Sequence, residues 1–303
     1  MASRLSLCLV DMNNGVPNEA TRCFTRIFEA FQAKVLQANP GLEISFEHVQ
    51  PRNLGQLPSR HVDLVLSSGG PGAPTDGYEE PWCTGYRKFL DGVIDRNLGQ
   101  NQSGRADAPG LFAVCHSFEI AVTHFGFARL VPRSTLKFGV FPAYVTEEGA
   151  SSVLFEPFDD RRLFTWEHRN FETVDLDVSA LQRLGGKLLA TESRPGGTDK
   201  GQGLMAFDFG PGIIGTQFHP EADRPGVIAW INRPEHAMAL KDAYGNSLYE
   251  RMMQTLKDPS RLARTYALAI PSWLRMRFNR LAEVRGLKPI GAPAQDMRMF
   301  EAD

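Results

Sequence analysis

Apolar positions in this chain fall into two patterns. Leu5 to Val10, Val62 to Leu66, Leu111 to Val114, Leu204 to Phe209 and Ile213 to Phe218 are mainly apolar runs of strand length. Leu42 to Val49, Lys137 to Thr146 and Gly186 to Glu192 read as further strands. Elsewhere the apolar residues recur at helical spacing. Glu19 to Gln37 carries Phe24, Ile27, Phe28, Phe31, Val35 and Leu36 on one face, and Asn39-Pro40-Gly41 ends it. Phe89 to Asn97 reads as a second helix, and Phe118, Ala121, Val122 and Phe125 mark a third. Strands alternating with helices predict an α/β fold built on a mostly parallel, doubly wound sheet with helices on both faces. Ligands bind such sheets at the C-terminal ends of the strands.

The connections are polar or rich in glycine and proline. They are Asp11 to Gly15, Thr75 to Lys88, Gly99 to Gly110, Phe155 to Phe164 and Ser193 to Gly203. Trp82 and Tyr86, in the second of these, read as packing residues rather than a pocket rim. From Gly226 onward the pattern is helical throughout. Runs at Val227 to Ala243, Ser247 to Leu256, Arg261 to Ile270 and Ser272 to Val284 are broken at Gly245, Asp258-Pro259 and Pro271. The change in character divides the chain into an α/β domain, 1-225, and an α-helical C-terminal extension, 226-303. Arg261, Arg264, Arg275, Arg277, Arg280 and Arg285 interleave with apolar residues there. The plain reading is a solvated basic face over a packing face.

Composition narrows the function little. The chain has 303 residues, 42% hydrophobic and 22% charged, with a formal net charge of -2. It is long enough for a sizeable core. No global field points to nucleic acid or a membrane, and no nucleic-acid reading motif occurs. The first apolar run is short and ends at Asp11, unlike a signal peptide. Cys8, Cys23, Cys83 and Cys115 lack paired metal-ligand spacing and read as thiols in a reducing compartment. The expected location is therefore cytoplasmic.

Candidate chemistry lies at two joints. Leu111 to Val114 runs as a strand straight into the helix that begins near Phe118, with Cys115-His116-Ser117 between them. A cysteine at such a joint sits at a helix N-terminus, where the dipole and unpaired N–H groups favour negative charge. The same N–H groups can hold an oxyanion. A buried inert thiol is the competing reading. The second joint is Gly215-Thr216-Gln217-Phe218-His219-Pro220-Glu221. Residues two apart in an extended segment point the same way. His219 can then take a thiol proton while Glu221 orients the imidazole.

With the glycine loop Ser67-Ser68-Gly69-Gly70-Pro71-Gly72-Ala73-Pro74, these motifs stand in an order that resembles the class I (triad-type) glutamine amidotransferase family. The resemblance covers roughly residues 4 to 222. It implies a flavodoxin-like domain and a triad of Cys115, His219 and Glu221. It also implies an oxyanion hole made by the N–H groups of Gly70 and His116. A weaker match is Trp166-Glu167-His168, where the family often has Trp-x-Ser-His; His168 is assigned no catalytic role. The nucleophile turn departs from the family's Cys-x-Gly-x-Gln. Ser117 replaces the glycine, adding a hydroxyl that narrows the pocket or makes a new hydrogen bond. Glu119 replaces a glutamine that helps bind the substrate's amino-acid end. An ionised Glu119 only accepts hydrogen bonds, so it favours an ammonium and repels a carboxylate. Related γ-glutamyl hydrolases carry glutamate at this position.

The resemblance implies cleavage of a γ-carboxamide through a γ-glutamyl thioester, with ammonia passed to a partner or released. No metal or organic cofactor is implied. Ser117 and Glu119 instead favour a γ-glutamyl amide hydrolase or acyl transferase acting on something other than free glutamine. A third reading is a catalytically weak binding or scaffold relative. Expected partners are a small γ-glutamyl substrate and either a synthetase or a second copy docked through the helical extension.

Overall fold

The computed structural model describes residues 4–16, 18–103, 109–158, 161–193, 203–258 and 261–293. Its centre is a nine-stranded sheet. The strands are β1 (Arg4–Val10), β2 (Glu43–Val49), β3 (Leu64–Ser67), β4 (Gly110–Val114), β5 (Arg129–Val145), β6 (Arg162–Val174), β7 (Lys187–Thr191), β8 (Leu204–Gly210) and β9 (Ile213–Thr216). Their spatial order is β2-β1-β3-β4-β9-β8-β7-β5-β6. The half from β2 to β9 is parallel. From β9 to β6 every pairing is antiparallel. The sheet is therefore mixed rather than mostly parallel. Only Pro211 and Gly212 separate β8 from β9, and a parallel crossover needs a dozen or more residues.

Period-two alternation sorts the apolar strand residues onto two faces. Leu5, Leu7, Leu9, Leu64, Leu66 and Phe112 belong to one buried cluster, while Cys8, Val10, Val65, Leu111 and Ala113 belong to the other. The first face is covered by α1 (Glu19–Ala38) and the long C-terminal helix. The second is covered by residues of α3 (Pro81–Ser103), α4 (His116–Phe125) and α6 (Val178–Arg183). Short α2 (Pro51–Leu54) and α5 (Glu147–Ala150) lie in the connections.

The chain ends in α7 (Arg224–Ile231), α8 (Pro234–Tyr244), α9 (Asn246–Lys257) and α10 (Leu262–Arg285). Arg233-Pro234 divides the run expected at Val227 to Ala243 into two helices. Conversely, α10 runs unbroken through Pro271, where the sequence predicts a stop. Proline costs an interior helix about 3 kcal/mol. Burial offsets this: Ile270, Trp273, Leu274, Phe278 and Leu281 enter the main core, with Trp273 against Phe112 and Phe278 against Phe31. Two of the arginines grip the body of the fold. Arg277 Nη2 donates to Pro109 O at 2.8 Å, and Arg285 pairs with Asp63.

Two further differences concern the middle of the chain. Pro81 begins α3, so the expected Thr75 to Lys88 connection is partly helical, and Trp82 and Tyr86 are packing residues of that helix. The helix also runs into the Gly99 to Gly110 stretch; residues 104–108 lie outside the described residues, as do 194–202 of the Ser193 to Gly203 stretch. β6 carries Trp166-Glu167-His168 and has no counterpart in the expected elements. Among the described residues no helix is long and apolar enough to cross a membrane.

Candidate active site

The C-terminal ends of the adjacent parallel strands β1, β3 and β4 and the segment after β9 lie together at one end of the sheet. β4 passes directly into α4, and Cys115 forms the joint with φ 50° and ψ −107°. A side chain is rarely tolerated there, and such backbone strain costs on the order of 1–3 kcal/mol. The joint is held from both sides. Cys115 N–H donates to Thr216 O of β9 at 2.8 Å, and Glu119 N–H closes the first helical turn on Cys115 O at 2.8 Å.

His219 is placed by its backbone. Its N–H donates to Trp166 O at 3.0 Å, so β6 pins the segment leaving β9. Its Nδ1 lies 2.7 Å from Glu221 Oε1. Glu221 is 1% exposed, and its Oε2 has no hydrogen-bond partner among the described residues. Burial works against a charge on His219, yet the Glu221 carboxylate and the Cys115 sulfur outweigh it and hold the imidazole pKa well above its ordinary value.

The glycine loop closes over these groups. A β-carbon on Gly69 would fall 2.9 Å from His219 Cε1 and 3.1 Å from Cys115 Cβ, so any side chain at 69 would strike both. A β-carbon on Gly70 would lie 2.2 Å from Met12 O. Glycine is required at both positions by close approach. Arg52, which the sequence reading does not single out, fastens the loop: its Nη1 donates to Pro71 O at 2.6 Å and Met12 O at 3.2 Å. The N–H groups of Gly70 and His116 make no hydrogen bond among the described residues.

Cys115, His219, Glu221, Gly69 and Gly70 line a single cavity of about 310 Å³. Ser117 and Glu119 are absent from its walls. The Ser117 hydroxyl is fully buried, 2.6 Å from Ser68 O and 2.7 Å from Ser67 Oγ, which also accepts from Tyr86 Oη at 2.9 Å. It ties the first turn of α4 to the base of the glycine loop. Glu119 is 5% exposed and points inward, accepting from Gln217 Nε2 at 2.9 Å. The imidazole of His116 is buried too, with neither ring nitrogen hydrogen-bonded among the described residues, and burial lowers its pKa to about 4. The rest of the lining includes residues without an expected role: Asn13 after β1, Glu19 and Cys23 of α1, and Val227 and Trp230 of α7. Trp166 and exposed His168 also line the cavity, and both rings contact Trp230.

Burial raises the Glu119 pKa to about 7, against the opposing donation from Gln217 and the charges of Arg169 and His219. The unfolded value is about 4.3. The folded chain thus holds this proton more tightly, and stability falls as pH rises from about 4.3 through 7. Glu119→Gln keeps the hydrogen bond from Gln217 and removes the titration. Urea unfolding at pH 5 and pH 8 should show wild type losing roughly 2–4 kcal/mol relative to the variant. Parallel behaviour of the two proteins would mean that Glu119 is solvated.

Solved structures share this architecture. A glutamine amidotransferase from Thermotoga maritima is 14% identical, with a TM-score of 0.58 over 88% of this chain and 96% of that one. A glutamine amido transferase from Methylobacillus flagellatus is 13% identical, with a TM-score of 0.57 over 97% of this chain and 99% of that one. The fold is that of the class I glutamine amidotransferases. The glutaminase domain of Trypanosoma brucei CTPS, solved with bound acivicin, adopts the glutamine amidotransferase fold as well, at 13% identity and a TM-score of 0.50 over 96% of this chain and 98% of that one. No family model and no curated protein matches the chain.

Proposed function

We propose that this chain is a cysteine-dependent amidase of the glutamine amidotransferase type, with Cys115 as nucleophile, His219 as acid–base and Glu221 as orienter. The observation that carries this reading is the His219–Glu221 pair facing a strained cysteine across a glycine loop, all in one cavity. His219 takes the Cys115 thiol proton, and the sulfur attacks the carbonyl carbon of a γ-carboxamide. The oxyanion is received by the free N–H groups of Gly70 and His116. Collapse breaks the C–N bond while His219 gives its proton to the departing amine, leaving a γ-glutamyl thioester. Water, deprotonated by His219, attacks the thioester carbon; the C–S bond breaks, His219 returns the proton to the Cys115 sulfur, and the γ-carboxyl product departs with the thiol restored. A flavodoxin-like description of the parallel half, with 226–303 as a helical extension of a 1–225 domain, belongs to the same proposal. So do a synthetase or second copy as recipient of ammonia and a cytoplasmic setting.

The inward orientation of Ser117 and Glu119 removes the electrostatic objection to free glutamine, because the carboxylate that would repel it faces Gln217 instead. The Trp166–Trp230 wall favours a second reading, in which the leaving amine carries an aromatic or apolar group. One experiment separates the two. The purified chain is incubated with glutamine and, in parallel, with a γ-glutamyl aryl amide; ammonia or arylamine release is measured, and the acyl-enzyme is sought by mass spectrometry. Ammonia and a Cys115 adduct from glutamine are expected. An adduct from the aryl amide alone selects the hydrolase, and no adduct from either leaves the binding or scaffold reading.

A further inference from the structure

Another cavity, of about 300 Å³, lies between α1 and α10 and shares the lining residue Asp223 with the cavity at Cys115. Its wall is apolar: Ile27 and Phe31 of α1, Tyr266, Ala267 and Pro271 of α10, and Ile290. Four cationic residues border it, namely Arg26, Lys34, Arg224 and Arg275. The single carboxylate among its lining residues, Asp223, is already engaged: Arg22 Nη1 and Nη2 donate to its two oxygens at 2.8 and 2.7 Å. Arg26 approaches the same carboxylate only at 3.9 Å. Lys34, Arg224 and Arg275 have no ion-pair partner among the described residues, and Arg275 Nε is buried without a hydrogen-bond partner there. An apolar space with a surplus of positive charge at its border is complementary to one kind of small molecule.

We propose that this cavity binds a small amphipathic carboxylate, its alkyl or aryl body between α1 and α10 and its head among Arg26, Lys34, Arg224 and Arg275. The apolar wall supplies the affinity, through area removed from water. The cations supply the selection, because a carboxylate forms charge-assisted hydrogen bonds with guanidinium groups that a neutral alcohol does not. Arg275 is the one cation that α10 contributes to this border, beside the apolar wall of the same helix.

The test uses the full chain, with octanoate as probe and calorimetry as readout. Octanoate should bind with a Kd below about 1 mM, while octanol and acetate at the same concentrations give at least about tenfold weaker binding. Arg275→Glu should weaken octanoate about tenfold or more, and Ala30→Trp, at an exposed α1 position on the lining, should abolish binding by filling the space. Both variants should unfold at the wild-type denaturant concentration; if Arg275→Glu does not fold, exposed Lys34→Glu replaces it. Three results overturn the proposal: equal affinity for octanol and octanoate, octanoate binding unchanged in both variants, or no binding. Self-association that octanoate does not reverse, together with no octanoate heat, would make this face a contact between copies instead.

Discussion

Cys115→Gly is expected to be as inactive as Cys115→Ala and yet more stable than it, by about 1 kcal/mol or more. Both substitutions remove the sulfur. Loss of the nucleophile of a catalytic unit typically lowers turnover by roughly 10⁴-fold or more, whichever residue replaces it. The stability order comes from the backbone. In an ordinary position glycine is worse than alanine by about 0.5–1 kcal/mol, because it frees the unfolded chain. At φ 50° and ψ −107° the alanine β-carbon keeps the strain that the cysteine bears, and glycine releases it. Paired urea denaturation of the two variants measures the difference. A glycine variant less stable than the alanine variant would mean that the elbow is relaxed in solution.

Glu221→Gln is the second substitution with a large expected effect. The amide keeps the shape of the side chain and its contact at Nδ1, but it does not hold a positive imidazole. Turnover should fall by roughly 10³–10⁴-fold, as in other triads whose orienting carboxylate is replaced by its amide. The pH dependence distinguishes this from misfolding. In the folded chain the His219 pKa is raised by Glu221 and Cys115 against the cost of burial. A raised histidine pKa contributes stability that is fully present below the unfolded value of about 6.5 and is lost as pH rises through the folded value. The variant should therefore be most destabilised relative to wild type at about pH 6, and less so at alkaline pH. Nuclear magnetic resonance titration of the His219 ring should show an apparent pKa that drops on substitution. An equal stability deficit at both pH values would assign Glu221 a packing role alone.

How much was legible beforehand depended on whether the signal was local. β1, β3, β4, β8 and β9 were recognisable because strands buried on both faces are mainly apolar runs. β6 was not, because its inward positions include charges. Glu167 and Arg169 are buried and pair with each other, and their other partners, Lys137 of β5 and Glu192 after β7, are distant in sequence. An alternation of polar residues reads as a surface until those partners are in place. The start of α3 is marked in the sequence by Pro81, a residue favoured in the first helical turn. The break expected at Pro271 is a local rule overridden by the core packing of the residues on either side.

The sequence by itself determined the α/β class and the chemical groups at the site. Cys115 at a strand-to-helix joint, His219 and Glu221 two apart, and glycines after a buried strand are each specified within a few residues, so spacing alone reveals them. The tertiary structure decided what those groups face. Ser117 and Glu119 stand beside the nucleophile in sequence, yet their polar atoms turn to Ser67, Ser68 and Gln217 rather than into the cavity. Other parts of the cavity lining come from Asn13, Trp166 and Trp230, on segments far apart along the chain. Side-chain direction is set by which buried partners are available across the sheet, and that is known only when the segments meet.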